Sequence, residues 1–296
     1  MSRPRILLLG TSGQLGWELQ RSLGAVGELE IRGHNEIDVT HSDELRRALR
    51  AAQADVIVNA TAYTAVDRAE SEPGLARSVN ADAPAVMAEA AREAGAALIH
   101  FSTDYVFDGR TDRPYREPDA ANPLGVYGQS KLEGERAIQG IGGAYIILRT
   151  SWVYSLRRKS FVTQVMAWAR SQQIVRVVSD QVGNPTWARA LAEATVALIE
   201  RAGPRPAHFL ADHAGLYHLA GAGLASRFEW ARAIVELDPR PDEQILQDLE
   251  QAADRDFPMP ARRPLYSALD CSLFEETFGL RLPPWREALH AAMSEA

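Results

Sequence analysis

A short apolar run, Arg5–Leu9, leads straight into Gly10-Thr11-Ser12-Gly13-Gln14-Leu15-Gly16 and then into the amphipathic stretch Gln14–Leu23. A run of that length and β-branched or leucine content is strand-like, and the stretch after it has helical period. Glycines at the joint allow a sharp turn and close approach of another backbone or ligand. A strand that turns into a helix in this way is half of a βαβ unit, so the next strand must lie parallel to the first.

The rest of the first half repeats the alternation. Strands are expected at Glu28–Arg32, Val56–Asn59, Ala97–Ser102 and Tyr145–Thr150, and helices at Asp43–Ala52, Leu75–Ala94 and Leu124–Gln139. The segment 108–126 is rich in Pro, Asp and Gly and reads as a long loop, a length usually kept for function. The pattern predicts an α/β chain: a Rossmann-type doubly wound parallel sheet over residues 1–152, with a smaller C-terminal substrate-binding α/β cap over 153–296. The boundary is soft and the chain is expected to cross it more than once. Beyond it, helices are expected at Phe161–Arg170 and Ala188–Arg201 and strands at Ile174–Val178 and Leu216–Leu219. Asp254–Tyr266, with Pro258, Pro260 and Pro264, is expected to be irregular.

Composition narrows the class of partner. A net charge of −7 argues against a general nucleic-acid binder, while leaving room for local phosphate sites. The single cysteine, Cys271, excludes an intrachain disulfide and a cysteine zinc cluster, and reads as a buried, inert thiol. No apolar run approaches the ~18 residues of a membrane span, and Ile6–Leu9 is too short for a signal-peptide core. A cytoplasmic location with no membrane partner is expected.

The glycine turn, through Gly10, Ser12, Gly13, Gln14, Leu15 and Gly16, offers unpaired helix N–H groups to a dinucleotide pyrophosphate. Its spacing, G-x-x-G-x-x-G, is wider at the start than the G-x-G-x-x-G fingerprint. The second strand ends in Ile31-Arg32-Gly33 with no acidic residue at its tip. Arg suits a 2′-phosphate, which points to NADPH with NADH possible; a solvated surface Arg is the competing reading. Asp38 and Val39 stand where an adenine could be held, or simply in a helix N-terminal turn.

Tyr127 and Lys131 are four residues apart on the expected helix and therefore share a face. An ammonium beside a phenol favours the phenolate and brings proton transfer at neutral pH within range. Thr103 ends the fourth strand, where open α/β sheets place their ligands, and its hydroxyl could orient a carbonyl beside Tyr127. Glycine turn, Thr and Y-x-x-x-K together point to a nicotinamide-dependent carbonyl reductase.

These motifs resemble the extended short-chain dehydrogenase/reductase superfamily, and longer strings resemble its dTDP-4-dehydrorhamnose reductase family. They are Val58–Glu70, Val79-Asn80-Ala81, Ser102–Gly109, Arg149–Tyr154, Asp180–Thr186 and Arg263–Ser267, so the likeness runs over nearly the whole chain. The resemblance implies NADPH- or NADH-dependent reduction of the 4-keto group of dTDP-4-dehydro-L-rhamnose. Tyr127 would be the proton donor, Lys131 its partner and ribose ligand, and Thr103 the orienting hydroxyl. Asp104 and Trp152 would touch the sugar, Thr61, Ala62 and Tyr63 would line the cofactor, and Arg263 would either clamp the diphosphate or lie solvated beside Arg262. Some relatives are magnesium-linked dimers. Here Arg189 occupies the stretch where an acidic ligand is expected, so no metal is assigned and a homodimer is left possible. Two alternatives stay open. One is a different nucleotide-sugar reductase, epimerase or dehydratase, though Tyr105 rather than an acid after Asp104 disfavours dehydration. The other is a non-catalytic NADP-binding subunit of the methionine adenosyltransferase type, for which Thr103, Tyr127 and Lys131 would have no use.

Overall fold

A computed structural model describes residues 3–295. The expected parallel sheet is present. Six strands, β1 (Arg5–Leu9), β2 (Glu28–Arg32), β3 (Val56–Asn59), β4 (Ala97–Thr103), β5 (Ala144–Thr150) and β6 (Gly215–His218), lie in the spatial order β6-β5-β4-β3-β1-β2. Every neighbouring pair is parallel. Alternate side chains feed two cores. Ile6, Leu8, Val56, Val58, Ile99, Ile146 and Leu148 pack with Leu19, Leu191 and Leu198 on one face. Leu7, Leu9, Ile57, Leu98 and Ile147 pack with Leu45, Met87 and Ile138 on the other. Burial on both faces explains why these strands read as continuous apolar runs rather than as alternating ones.

The order reverses between β1 and β3, and the chain leaves both strands there for opposite faces of the sheet. Such a switch point opens a crevice at the C-terminal strand ends. The glycine turn after β1 and Thr61-Ala62-Tyr63 after β3 meet in that crevice. At Gly10, with φ of +88°, a Cβ would lie 2.6 Å from the Ala60 carbonyl carbon and from the Thr61 nitrogen. Only glycine lets the two segments come this close.

The expected helix Leu75–Ala94 is in fact three pieces: Pro73–Arg77, a π-helical turn at Ser78–Asp82, and Ala83–Ala94. Asn80, fully buried within the wide turn, bonds the backbone of Tyr63 on both sides and donates to the Ser130 hydroxyl at 3.0 Å. Gly134 seals the contact, since a Cβ there would sit 2.1 Å from the Asn80 carbonyl oxygen. The helix bearing Tyr127 and Lys131 runs Val126–Ile141, capped by Gly125, and so starts two residues later than the sequence suggests.

Residues past 152 serve both regions. The helices Ala188–Ala202 and Pro206–Asp212 bury Leu191, Leu198 and Leu210 in the first sheet core, and β6 then adds the edge strand beside β5. A separate core of Tyr154, Val162, Val175, Trp230, Ile234 and Leu289 builds the C-terminal region. Several of its elements carried no clear sequence signal: the helices Arg227–Glu236, Ser272–Phe278 and Trp285–Met293, and the strand Asp248–Ala252, which pairs in parallel with Ile174–Val178. Among the described residues no helix is long and apolar enough to cross a membrane.

Candidate active site

The three glycines of the phosphate turn have different neighbours. Gly10 is fixed by Ala60 and Thr61, and Gly16 by Gly10 itself, whose carbonyl oxygen would lie 2.0 Å from a Cβ. Gly13 has no such constraint: the nearest atom to its Cβ position is 3.8 Å away and its φ is an ordinary −77°. It caps the helix Gln14–Ser22 with no side-chain hydrogen bond, and the Gln14 Oε1 nearby is buried without a partner. A bare helix N-terminus and a Cβ-free approach fit a pyrophosphate. Gly13→Ala is therefore expected to fold with an unchanged melting temperature yet weaken NADPH about tenfold or more, a loss of about 1.4 kcal/mol. Gly16→Ala should instead lower the melting temperature. Fluorescence titration and thermal unfolding of the two variants check this, and equal NADPH affinity in Gly13→Ala would remove the turn from the phosphate role.

Arg32 stands at the β2 tip as expected, but its guanidinium is braced by Glu30, with Nε donating at 2.9 Å. Asp38 accepts both the backbone N–H and the hydroxyl of Thr40, which hold its carboxyl below the usual range. This is a local turn, and Val39 packs beside the second core. Thr61 and Tyr63 are held from behind. The Asn59 Oδ1 accepts the Thr61 N–H and hydroxyl, and the Tyr63 hydroxyl is bonded to Glu72.

Tyr127 stands on the first turn of its helix against the end of β4. Its ring lies edge-on to Tyr105, with centroids 5.6 Å apart, over a cleft lined by Leu124, Gly128, Ala261 and Pro264. The Thr103 hydroxyl stands beside the phenol and donates to the Asp104 Oδ1 at 3.1 Å. Burial pushes the phenol pKa up, and the Thr103 hydrogen bond opposes that shift. Phenol and hydroxyl thus come together as the sequence predicts.

Lys131 is brought to the same strand end with a different contact. Its i,i+4 spacing puts it on the face of Tyr127, but a buried amine needs acceptors, and it reaches past the phenol to find them. Nζ donates to the Phe101 carbonyl oxygen at 2.6 Å and lies 3.2 Å from His100 Nε2. Burial lowers its pKa to about 8, with Glu135 opposing the shift. In this geometry the acidity of Tyr127 is set by burial and Thr103, and an ammonium contact does not enter it.

Asp104 lies at the same strand end. It is buried, and its oxygens are spent on protein hydroxyls: Thr103 on Oδ1, Ser151 and Ser267 on Oδ2 at 3.1 and 2.5 Å. It ties the ends of β4 and β5 to the C-terminal segment beneath the cleft. Arg263 is likewise committed, gripping Asp67 with both terminal nitrogens at 3.2 and 2.8 Å. Trp152 is held at φ of +45°, stacked on Trp230 with the Arg227 guanidinium 3.6 Å above its ring. Burial lowers the Arg227 pKa to about 10, and among the described residues this guanidinium has no ion-pair partner. Arg189 bridges Glu18, at 3.5 Å, and Glu295. Cys271 is half-buried, and desolvation pushes its thiol pKa up to about 12.

The residues that sequence reasoning left without a role are Asn59, Asn80, His100, Ser151, Arg227 and Ser267. A signal existed for two of them: Asn59 and His100 are polar side chains inside otherwise apolar strands, where a polar group must find a partner.

A Rossmann-type sheet with a glycine turn at its switch point, and a Y-x-x-x-K helix beside a strand-end Thr, define the short-chain dehydrogenase/reductase class. Within it, the chain belongs to the family described as the RmlD substrate binding domain, which matches residues 4–296. A dTDP-4-dehydrorhamnose reductase of Burkholderia thailandensis is 40% identical over 96% of each chain. That of Escherichia coli K12 is 39% identical over 98% of this chain and 97% of its own. The crystal structure of the Bacillus anthracis dTDP-4-dehydrorhamnose reductase in complex with NADP covers all of both chains, with a TM-score of 0.89 at 29% identity.

Proposed function

We propose that this chain reduces the 4-keto group of dTDP-4-dehydro-L-rhamnose to give dTDP-L-rhamnose, with NADPH as reductant. The observation that carries the reading is that Tyr127 and Thr103 stand together at the C-terminal end of β4, the same end of the parallel sheet at which the glycine turn leaves β1. The relatives, named for this reaction and matched nearly end to end, support the substrate. NADPH, when bound, supplies hydride to the carbonyl carbon. Thr103 and Tyr127 bind and polarise the carbonyl oxygen, and Tyr127 then yields its phenolic proton to it. Asp104, through its three hydroxyl partners, keeps Thr103 in place. The Gln14–Ser22 helix N-terminus holds the cofactor pyrophosphate, and the Trp152 face shields one side of the sugar from water. A cytoplasmic site of action fits an enzyme that draws on NADPH.

Purified protein mixed with NADPH and dTDP-4-dehydro-L-rhamnose generated in situ should oxidise the cofactor and yield dTDP-rhamnose by chromatography. NADPH binding with no turnover on this sugar would overturn the substrate assignment. Arg32→Ala should raise the KM for NADPH about tenfold, the worth of one charge-assisted contact, with NADH little changed. Equal losses for the two cofactors would remove Arg32 from 2′-phosphate recognition.

A further inference from the structure

His100 is completely buried in β4, one residue before the carbonyl that accepts from Lys131. Both ring nitrogens are engaged: Nδ1 lies 2.9 Å from the Asn59 amide nitrogen and Nε2 lies 3.2 Å from Lys131 Nζ. The orientation of the Asn59 amide is not free. Its Oδ1 must face Thr61, because it accepts the Thr61 backbone N–H at 3.0 Å as well as the Thr61 hydroxyl. The Nδ2 of Asn59 is therefore the group that meets His100, and an amide NH2 can only donate. His100 Nδ1 must accept. In a neutral imidazole the single proton is then on Nε2, pointing at Lys131. Burial and the nearby Lys131 both disfavour the imidazolium.

The consequence falls on Lys131. An Nε2–H facing an amine is attractive when the nitrogen offers its lone pair and repulsive when it is an ammonium, which has no acceptor. We propose that His100, locked by Asn59 in the Nε2–H tautomer, is a positioning residue that holds the Lys131 amine at the end of β4 and opposes its ammonium form. The titratable and charged groups around this amine are few. His100 faces it from β4, Tyr127 and Glu135 lie one turn away on either side along its own helix, and Arg149 of β5 is bonded to Glu135. The packed π-turn contributes only the neutral Asn80, through Ser130. Glu135 favours the ammonium and His100 opposes it, so the protonation of Lys131 is set between them. The same chain of bonds, Thr61–Asn59–His100–Lys131, links the segment after β3 to the amine.

The inference rests on the reductase reading only in taking the Lys131 ammonium as the ribose ligand that positions the nicotinamide, so its test has a readout that needs no turnover. Protein labelled with ring-15N histidine gives the tautomer from long-range imidazole correlations, and the His100→Gln spectrum assigns the signal among the seven histidines by its loss. A protonated Nε2 and bare Nδ1 at neutral and mildly alkaline pH are expected. A protonated Nδ1, or an imidazolium, would overturn the proposal whether or not the chain reduces any sugar. In turnover, His100→Phe should move the alkaline limb of the kcat/KM profile upward by about one pH unit, as removal of one opposing hydrogen-bond donor implies. The Gln variant keeps an amide donor close to the Nε2 position and should return the limb toward its original place. An unmoved limb in a folded His100→Phe protein would reduce His100 to packing. If that variant does not fold, the tautomer measured in the unmodified protein decides.

Discussion

Tyr127→Phe should bind NADPH as the parent does and lose about 10²- to 10⁴-fold in kcat, the range that a single general acid supplies. The expectation is this sharp because the substitution removes so little else. The ring keeps its edge-on contact with Tyr105 and its place over the cleft. The neighbouring Thr103 hydroxyl already donates to Asp104 at 3.1 Å, so no buried donor is orphaned and stability should change by less than about 1 kcal/mol. In this structure burial raises the phenol pKa, so at neutral pH Tyr127 carries its proton, as a donor to a developing alkoxide must. Stopped-flow or steady-state kinetics with the keto sugar, beside a cofactor titration, separate the two effects. Retention of more than about a tenth of the parent kcat would put the proton source elsewhere.

Why the sheet was legible and the cap was not has a physical basis. β1 and β3 fall at the expected residues because strands buried on both faces must be apolar throughout, while β2 and the strand Ile174–Val178 are half-exposed and are bounded by glycine or polar turns. Helices of the C-terminal region are short and divide between two cores, Ser272–Phe278 against the sheet and Trp285–Met293 against Trp230, and Arg227–Glu236 announces itself mainly by the Ser226/Glu229 capping box. The π-turn at Ser78–Asp82 was invisible for a different reason. Its cause is tertiary, an inward Asn80 that braces Tyr63, and a period of 3.6 cannot signal a partner distant in sequence.

The site divides in the same way. Tyr127, Thr103 and the glycine turn are local patterns whose neighbours in sequence become neighbours in space. Lys131 lies on the helix its spacing assigns, and its contacts with the buried Phe101 carbonyl and His100 could not be weighed without the fold. Arg263 and Asp104 show the same limit. A guanidinium or carboxylate in a site motif looks ready for a ligand until its protein partners are seen, the ion pair with Asp67 for one and the hydroxyls of Ser151 and Ser267 for the other.

Glu135→Ala should be the most destabilising single change near the site, by about 3–5 kcal/mol, or on the order of 10 °C in melting temperature. Glu135 lies one turn beyond Lys131 and joins its helix to two strands at once. Its Oε1 accepts from the Ser102 hydroxyl at 2.5 Å and from the Arg149 Nε at 2.9 Å, and its Oε2 accepts from the Arg149 Nη2 at 2.6 Å. Both charged side chains are almost wholly enclosed, 5% and 1% exposed for Arg149 and Glu135. Removing the carboxylate leaves a guanidinium that cannot lose its proton in a pocket where its Nη1 already lacks a partner. The Arg50–Glu93 pair on the surface, at 3.0 Å but 63% and 49% exposed, is the control. Water and salt screen it, so Glu93→Ala should cost no more than about 1 kcal/mol. Glu135→Gln keeps an acceptor for Ser102 or Arg149 while losing the charge, and should fall between the two. Thermal and urea unfolding of the three variants give the order directly, and a Glu135→Ala protein as stable as Glu93→Ala would mean that the Arg149 pocket admits water, and the helix bearing Tyr127 and Lys131 would then be anchored by apolar packing alone.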